Sequence, residues 1–506
     1  MKNKPEAPEI LVAGRNSFAG AGQCDCDCDC ACAESGTPLD LIPIRETSRW
    51  QKVPELVRLA VSPTHHAIFN PQAPLGIAYC NESACRILDT LQDDDSLSDV
   101  TSRFPQFPDA EIKKSIELLA ALNLVSSPER GLTPVTTEPA SLLTAWLHLT
   151  DRCNLRCSYC YLAHLREDMS IETGKAAIDA TLRSAEKYGY KSIKLKYSGG
   201  EALLRPQQLL ELHAYAGIAA ERKAIALDGV VLTNGTLLTP SLAAQIKTSG
   251  LRMMISLDGL DSFHNFHRHY ASGQNSFHDV LRGIQIVMQA GIKPDISITV
   301  SAQSAGGLAE LLDLILDMDL SFSINFYREN DFSVIQPTLT MDDNKIIAGM
   351  KAAFDVIEKK LPRRSLLASL LDRANLSVAH VKTCSVGANY LVFDPQGQVA
   401  QCQMQMRHAV GNFQAEDALA LVRRQDAGIR NLPVSEKQGC ADCQWRYWCA
   451  GGCPLMAHRA TGRYDQQSPY CHIYQALLPS VIRLEGLRLM KYGDGALSST
   501  DTQKKY

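Results

Sequence analysis

Between residues 142 and 335, short apolar runs alternate with amphipathic stretches in a regular beat. LLTAWLHLT is followed by a helical pattern from 171, IKLKYS by one near 206, and GVVLT by one from 240. LRMMISL precedes a helix from about 276, DISITV one from 306, and FSINFY closes the series. Strand–helix repeats of this kind predict a parallel sheet. Six of them predict an α/β chain centred on a partial (β/α)6 TIM-like barrel, with its chemistry at the C-terminal ends of the strands. Upstream, over 57–128, APLGIAY leads into a helix from Asn81 with Ala84, Ile87, Leu88 and Leu91 on one face, and DAEIKKSIELLAAL forms a second helix. Short helices beside short strands predict a winged-helix-like module. Residues 1–40 have no apolar period and are expected to be disordered. Downstream, a helical connection over 336–383, helical mainly from 341 to 375, leads to a Cys-rich domain over 384–475. A helix from about 473 to 492 leads into the C-terminal segment 476–506, which ends in a polar tail.

Composition narrows the function. Lys and Arg total 51 against 55 Asp and Glu, a net charge of -4, which gives no basic field for a nucleic-acid backbone. No run of about 18 apolar residues offers a membrane span, and the opening MKNKPEAPEILVAGRNSF lacks a secretory signal's apolar core. The expectation is a cytoplasmic protein with neither nucleic-acid nor membrane partners. Seventeen cysteines in a reducing compartment point to metal ligation or redox chemistry rather than disulfides. Cys80 and Cys85, on a strand running into a helix, read as small core residues.

Cys153, Cys157 and Cys160 in CNLRCSYC follow the first barrel strand with spacing C-x3-C-x2-C. Three thiolates can hold three irons of a 4Fe-4S cubane and leave the fourth open, whereas a structural zinc would want a fourth ligand and only His164 is near. The spacing, with Tyr159 before the last Cys, resembles the signature of radical S-adenosylmethionine (SAM) enzymes. In that family the open iron chelates SAM, whose reductive cleavage gives a 5'-deoxyadenosyl radical that takes hydrogen from a substrate. The resemblance implies further SAM contacts from Gly199, Gly200 and Glu201 of a GGE motif, Asn234 at the third strand's end, Ser256 of SLDG, and Arg268, suited to a bidentate carboxylate contact. Position 265 is Asn where the family usually has Asp, and His264, His267 and His269 read as packing or surface residues rather than bases.

The run Cys384-x12-Gly397-x4-Cys402, then Cys440, Cys443, Cys449, Cys453 and Cys471, is similar to the SPASM extension of peptide-modifying radical SAM enzymes. By position it implies two auxiliary 4Fe-4S clusters, one on Cys384, Cys402 and Cys453 and one on Cys440, Cys443, Cys449 and Cys471. The first lacks a fourth thiolate. Sulfatase maturases add a Cys upstream and an Asp after the equivalent of Cys402, but here Val378 and Gln403 occupy those regions. His380 is a candidate ligand if its segment is helical, and a substrate thiolate on an open iron is the other.

Together these features imply three 4Fe-4S clusters, SAM, an electron donor such as flavodoxin or ferredoxin, and a peptide or small-protein substrate presented by the N-terminal module. Thioether or carbon–carbon crosslinking is the leading expectation. Side-chain oxidation or peptide-derived cofactor synthesis is one rival, and a non-catalytic electron-transfer protein another. The alternating Cys24 to Cys32 run is either a flexible tail with adventitious metal affinity, a metal-delivery tail, or a substrate-like peptide fused to its own enzyme.

Overall fold

The computed structural model describes residues 6–13, 45, 47–136, 140–332, 339, 341–424 and 426–493. Near the start, β1 (Ile10–Ala13), β2 (Gln51–Lys52), β3 (Val57–Ala60), β4 (His65–Phe69) and β5 (Ile77–Asn81) precede α1 (Glu82–Thr90), α2 (Leu97–Arg103), α3 (Asp109–Ala121) and β6 (Val125–Ser126). Four strands form an antiparallel sheet in the order β1-β5-β4-β3, and β2 pairs with β6. Asn81 lies just outside α1 as its N-cap, accepting from the Ala84 amide at 2.9 Å, so the helix begins one residue later than its pattern predicts. Ser96 and Asp99 form a capping box on α2.

One expectation fails at Ile10–Ala13. These residues are buried and pair with Ile77–Cys80, although the composition of 1–40 predicts disorder. Four apolar residues are too few to stand out beside a low-complexity run, and their stability comes from the neighbouring strand rather than from local pattern. The Cys24 to Cys32 run lies outside the described residues. Cys80 and Cys85 are buried core residues.

The central sheet begins with β7 (Leu142–His148), α4 (Ile171–Tyr188), β8 (Ser192–Ser198), α5 (Pro206–Glu221), β9 (Ala226–Thr233), α6 (Pro240–Thr248) and β10 (Arg252–Ser256). It continues through α7 (Asp261–His267), α8 (Phe277–Gln289), β11 (Asp295–Val300), α9 (Leu308–Asp317) and β12 (Phe322–Phe326). Strands β7 to β12 are parallel and neighbour one another in chain order, forming a partial TIM-like barrel. After α10 (Asp343–Lys360) the chain adds β13 (Tyr390–Phe393), β14 (Gln398–Ala400) and β15 (Gly411–Asn412) to the free side of β7. β13 runs parallel to β7 with Tyr390 opposite Thr144, so the Cys-rich region shares the barrel's sheet. The helix predicted to 375 stops at Lys360, just before Pro362, which cannot continue it, and Arg373 has a left-handed φ of 59°.

Short helices α11 (Ala418–Arg423), α12 (Arg446–Cys449) and α13 (Pro454–Thr461) lead to α14 (Cys471–Tyr492). The last helix lies against α10 and the N-terminal sheet. Tyr79 donates to the Ile482 carbonyl at 3.0 Å, and a Cβ on Gly486 would meet the Tyr79 ring at 2.6 Å. Phe69 packs on Trp445 and Trp448, with ring centroids 5.6 and 5.8 Å apart. One face of the N-terminal sheet thus joins the main core while the other is covered by α1 to α3.

Candidate active site and auxiliary cysteine sets

The CNLRCSYC loop leaves the C-terminal end of β7 and is clamped by backbone on both flanks. On one side Gly200 N donates to Thr150 O at 2.7 Å and Glu201 N to Arg152 O at 2.9 Å. On the other, Arg156 N donates to His269 O at 2.8 Å, Ser158 N to His267 O at 2.9 Å, and Ala271 N to Asn154 O at 2.9 Å. The glycines are required here: Gly199 has φ 134°, and a Cβ on it or on Gly200 would lie 2.2 Å from the carbonyl oxygen of Thr150 or Arg152. The backbone that approaches GGE so closely is the cysteine loop itself.

All of the other predicted SAM contacts except Ser256 meet the same loop or the residues that flank it. Glu201, 1% exposed, accepts from Leu203 N at 2.9 Å, Thr233 Oγ1 at 2.7 Å and Asn234 N at 2.7 Å, tying the ends of β8 and β9 together. Asn234 Nδ2 reaches Asn154 Oδ1 at 2.8 Å and Cys153 Sγ at 3.9 Å. Ser256 ends β10, half-buried, opposite Ser297. Arg268 Nε donates to Asp258 Oδ2 at 2.7 Å and Nη1 points to Cys157 Sγ at 3.9 Å. The expected bidentate fork of Arg268 is therefore already turned toward groups of the protein. Tyr159 donates to the same Asp258 carboxylate and lies under the guanidinium, 5.3 Å from its ring centroid.

Asp258 is the residue that the motif reading passed over. Burial opposes its charge, yet Arg268, with His264 and Tyr159, holds its carboxyl below the usual range. Its place two residues after Ser256 in SLDG was the available signal. His264 and His267 are fully buried packing residues, bonded to Ser276, Ser158 and Ser301, and burial pushes His264 down to about 4. Asn265 Oδ1 accepts from Ser276 N at 3.0 Å and Phe277 N at 3.1 Å at the start of α8. An amide oxygen does this as well as a carboxylate, which explains why Asn is tolerated there.

The seven downstream thiols fall into two groups. Cys384, Cys402 and Cys453 border one cavity of about 350 Å³, mouth included, together with Arg373, Tyr390 and Gln403. Cys440, Cys443, Cys449 and Cys471 lie within mutual electrostatic reach. Gln403 accepts from Tyr390 Oη at 2.9 Å and faces Cys402 Sγ at 3.5 Å. His380 is not helical, is not among the residues bordering the cavity, and gives its Nδ1–H to the Val378 carbonyl at 3.1 Å; burial pushes it down to about 4. The helical spacing proposed for His380 and Cys384 therefore does not occur.

The donor sets suit iron–sulfur ligation. Burial pushes the Cys153, Cys160 and Cys449 thiols up to about 12 and Cys440 to about 11, so a bound metal centre would have to displace their protons. At least seven of the ten sulfurs already face an N–H donor: Cys153 from Leu155 and Asn234, Cys157 from Arg268, Cys160 from Leu162, Cys384 from Asn431, Cys443 from Trp445, Cys449 from Gly451, and Cys471 from Gln475. Such donors tune iron–sulfur centres. Among the described residues no three His, Cys, Asp or Glu side chains gather closely enough for a single metal ion, and no helix is long and apolar enough to cross a membrane.

A model of the radical SAM superfamily matches residues 147–315. An AdoMet-dependent heme synthase of Oleidesulfovibrio alaskensis is 31% identical over 379 residues, 69% of this chain and 90% of that protein. A serine-type anaerobic sulfatase-maturating enzyme of Klebsiella aerogenes is 23% identical over 368 residues, 67% of this chain and 86% of the relative. Among solved structures, native anSMEcpe with bound AdoMet and Cp18Cys peptide aligns with TM-score 0.57 at 18% identity, covering 69% of this chain and 99% of that one.

Proposed function

Since the chain belongs to the radical SAM superfamily and is thus an enzyme of SAM-dependent radical chemistry, we propose that it is a maturase of a peptide or small protein, carrying three 4Fe-4S clusters. Cys153, Cys157 and Cys160 would hold the cluster that binds SAM. Cys384, Cys402 and Cys453 would hold one auxiliary cluster, and Cys440, Cys443, Cys449 and Cys471 the other. When bound, the first cluster and SAM supply a 5'-deoxyadenosyl radical able to take hydrogen from substrate. The chain's own contribution is rigidity: Gly199, Gly200 and Glu201 fix the loop against β8, and the Tyr159–Asp258–Arg268 group fixes its far side. Asn234, Ser256 and Arg268 would border SAM.

The observation that carries the reading is the cavity bounded by Cys384, Cys402 and Cys453, whose wall includes Tyr390 of β13, the strand that joins the barrel's own sheet. A thiol-lined space beside a radical-generating barrel favours crosslinking that uses a substrate thiolate, because soft sulfur suits an incompletely ligated iron. Gln403 in place of an acid after Cys402 weighs against sulfatase maturation. A peptide substrate is supported by the peptide-bound anSMEcpe fold relative, and its leader would add to the exposed β3 edge of the N-terminal sheet. A reduced flavodoxin or ferredoxin in the cytoplasm would supply electrons.

Co-expression with a Cys-containing peptide encoded nearby, followed by mass spectrometry, tests this. Loss of the mass of two hydrogen atoms with protection of one thiol is expected; an unmodified peptide alongside active SAM cleavage would exclude crosslinking of it. A tetrapyrrole substrate is a second reading, favoured by the heme synthase relative. Absorbance changes on adding an iron porphyrin, absent with the peptide, would select it.

A further inference from the structure

Lys437 lies between the two auxiliary cysteine sets. Its side chain is 1% exposed, and Nζ donates to the Ala450 carbonyl at 2.7 Å and to Thr383 Oγ1 at 3.4 Å. These partners adjoin ligand positions of different sets: Thr383 precedes Cys384 and Ala450 follows Cys449. Thr383 Oγ1 in turn lies 2.9 Å from the Ala450 carbonyl and 2.8 Å from that of Gly452, which precedes Cys453; its single proton serves one of them at a time. A Cβ on Gly451 would meet Lys437 Nζ at 3.2 Å and Cys440 Sγ at 3.3 Å, so ammonium and sulfur border the same point.

Burying an ammonium is costly unless negative charge compensates it. Among the described residues no carboxylate pairs with Lys437. The groups that oppose the effect of burial on it are the sulfurs of Cys384 and Cys453 from one set and Cys440 and Cys449 from the other. An apolar side chain of similar length would fill the same space without that cost. Arg373, beside Cys384, borders the cavity of that set.

We propose that Lys437 is an electrostatic positioning residue shared by both auxiliary iron–sulfur centres. The inference rests on the reading that each cysteine set holds a 4Fe-4S cluster. One-electron reduction from the 2+ to the 1+ core adds one negative charge, with the electron coming from a low-potential donor such as reduced flavodoxin or, in a titration, dithionite. A fixed buried cation favours the reduced form and so raises both midpoint potentials.

The test is potentiometric titration of the anaerobically reconstituted full-length enzyme, followed by electron paramagnetic resonance. Lys437→Met should move both auxiliary midpoints downward, leave the SAM-binding cluster's midpoint in place, and be rescued by Lys437→Arg. Iron analysis separates the two levels of inference: wild type should hold roughly twelve irons per chain, and a wild-type content near four would sink the auxiliary-cluster reading itself. Full iron with unmoved auxiliary midpoints in Lys437→Met would overturn the role of Lys437. Should that variant fail to fold, Thr383→Val, which removes only the hydroxyl beside Cys384, should lower the midpoint of the Cys384 set more than that of the other. Midpoints equal to wild type in Thr383→Val would overturn the proposal equally.

Discussion

The two cysteine regions are built in opposite ways. In CNLRCSYC three sulfurs sit on one loop, and the loop is fixed by strand ends and backbone hydrogen bonds on both flanks. The seven downstream sulfurs come from well-separated stretches of chain and are gathered by side chains and turns: Gln401 bonds both Val422 O and Ile429 N at 2.7 Å, and Asn431 bonds Cys384 O at 2.6 Å. Between Arg424 and Cys471 the only α-helices among the described residues are α12 and α13. The first site is preformed by the barrel, whereas the second has little regular structure and would gain cohesion from clusters held by its thiolates.

The contrast is broken most directly by removing metal. Chelation of the reconstituted enzyme should open the 426–470 region to proteolysis well before the barrel strands, as mapped by mass spectrometry of the fragments; simultaneous cleavage of both regions would show that the barrel depends on iron too. Next in size is Asp258→Ala. It leaves the Arg268 guanidinium buried without its carboxylate and should destabilise the protein by about 3–5 kcal/mol, measured by denaturant unfolding of the metal-free chain. Gly200→Ala forces a methyl against the Arg152 carbonyl at 2.2 Å and should cost roughly 1–3 kcal/mol, with selective loss of the SAM-binding cluster's iron. Smallest is Asn265→Asp, which restores the family's usual residue: the capping oxygen is kept, and the amide's bond to Asp261 at 3.0 Å is replaced by a carboxylate repulsion at an exposed position, so stability should fall by no more than about 0.5 kcal/mol.

The same contrast decides what the sequence reveals. The barrel strands are readable because each is a local apolar run with a helix behind it, and the cysteine loop because its spacing is local. β13 is hidden: YLVF is a short apolar run within a cysteine pattern, and nothing local says that it pairs with β7 across more than two hundred residues. β1 is missed for the same reason. The apolar spacing of 361–375 imitates a helix, but its leucines pack into the main core from turns. Asp258 is signalled only by its place in SLDG, and Lys437 is invisible as a functional group until the fold buries it beside its partners. Glu201 is legible as a motif, though the structure gives its carboxylate three protein donors that the motif does not reveal.

The decisive measurement is 5'-deoxyadenosine formation by the anaerobically reconstituted enzyme with SAM and dithionite, run beside a variant with Cys153, Cys157 and Cys160 all replaced by Ala. Wild type should cleave SAM, and the variant should lose cleavage while keeping roughly two-thirds of the iron, the share expected if two of three 4Fe-4S clusters persist. Undiminished 5'-deoxyadenosine from the triple variant would contradict the assignment of the barrel loop as the radical-generating site.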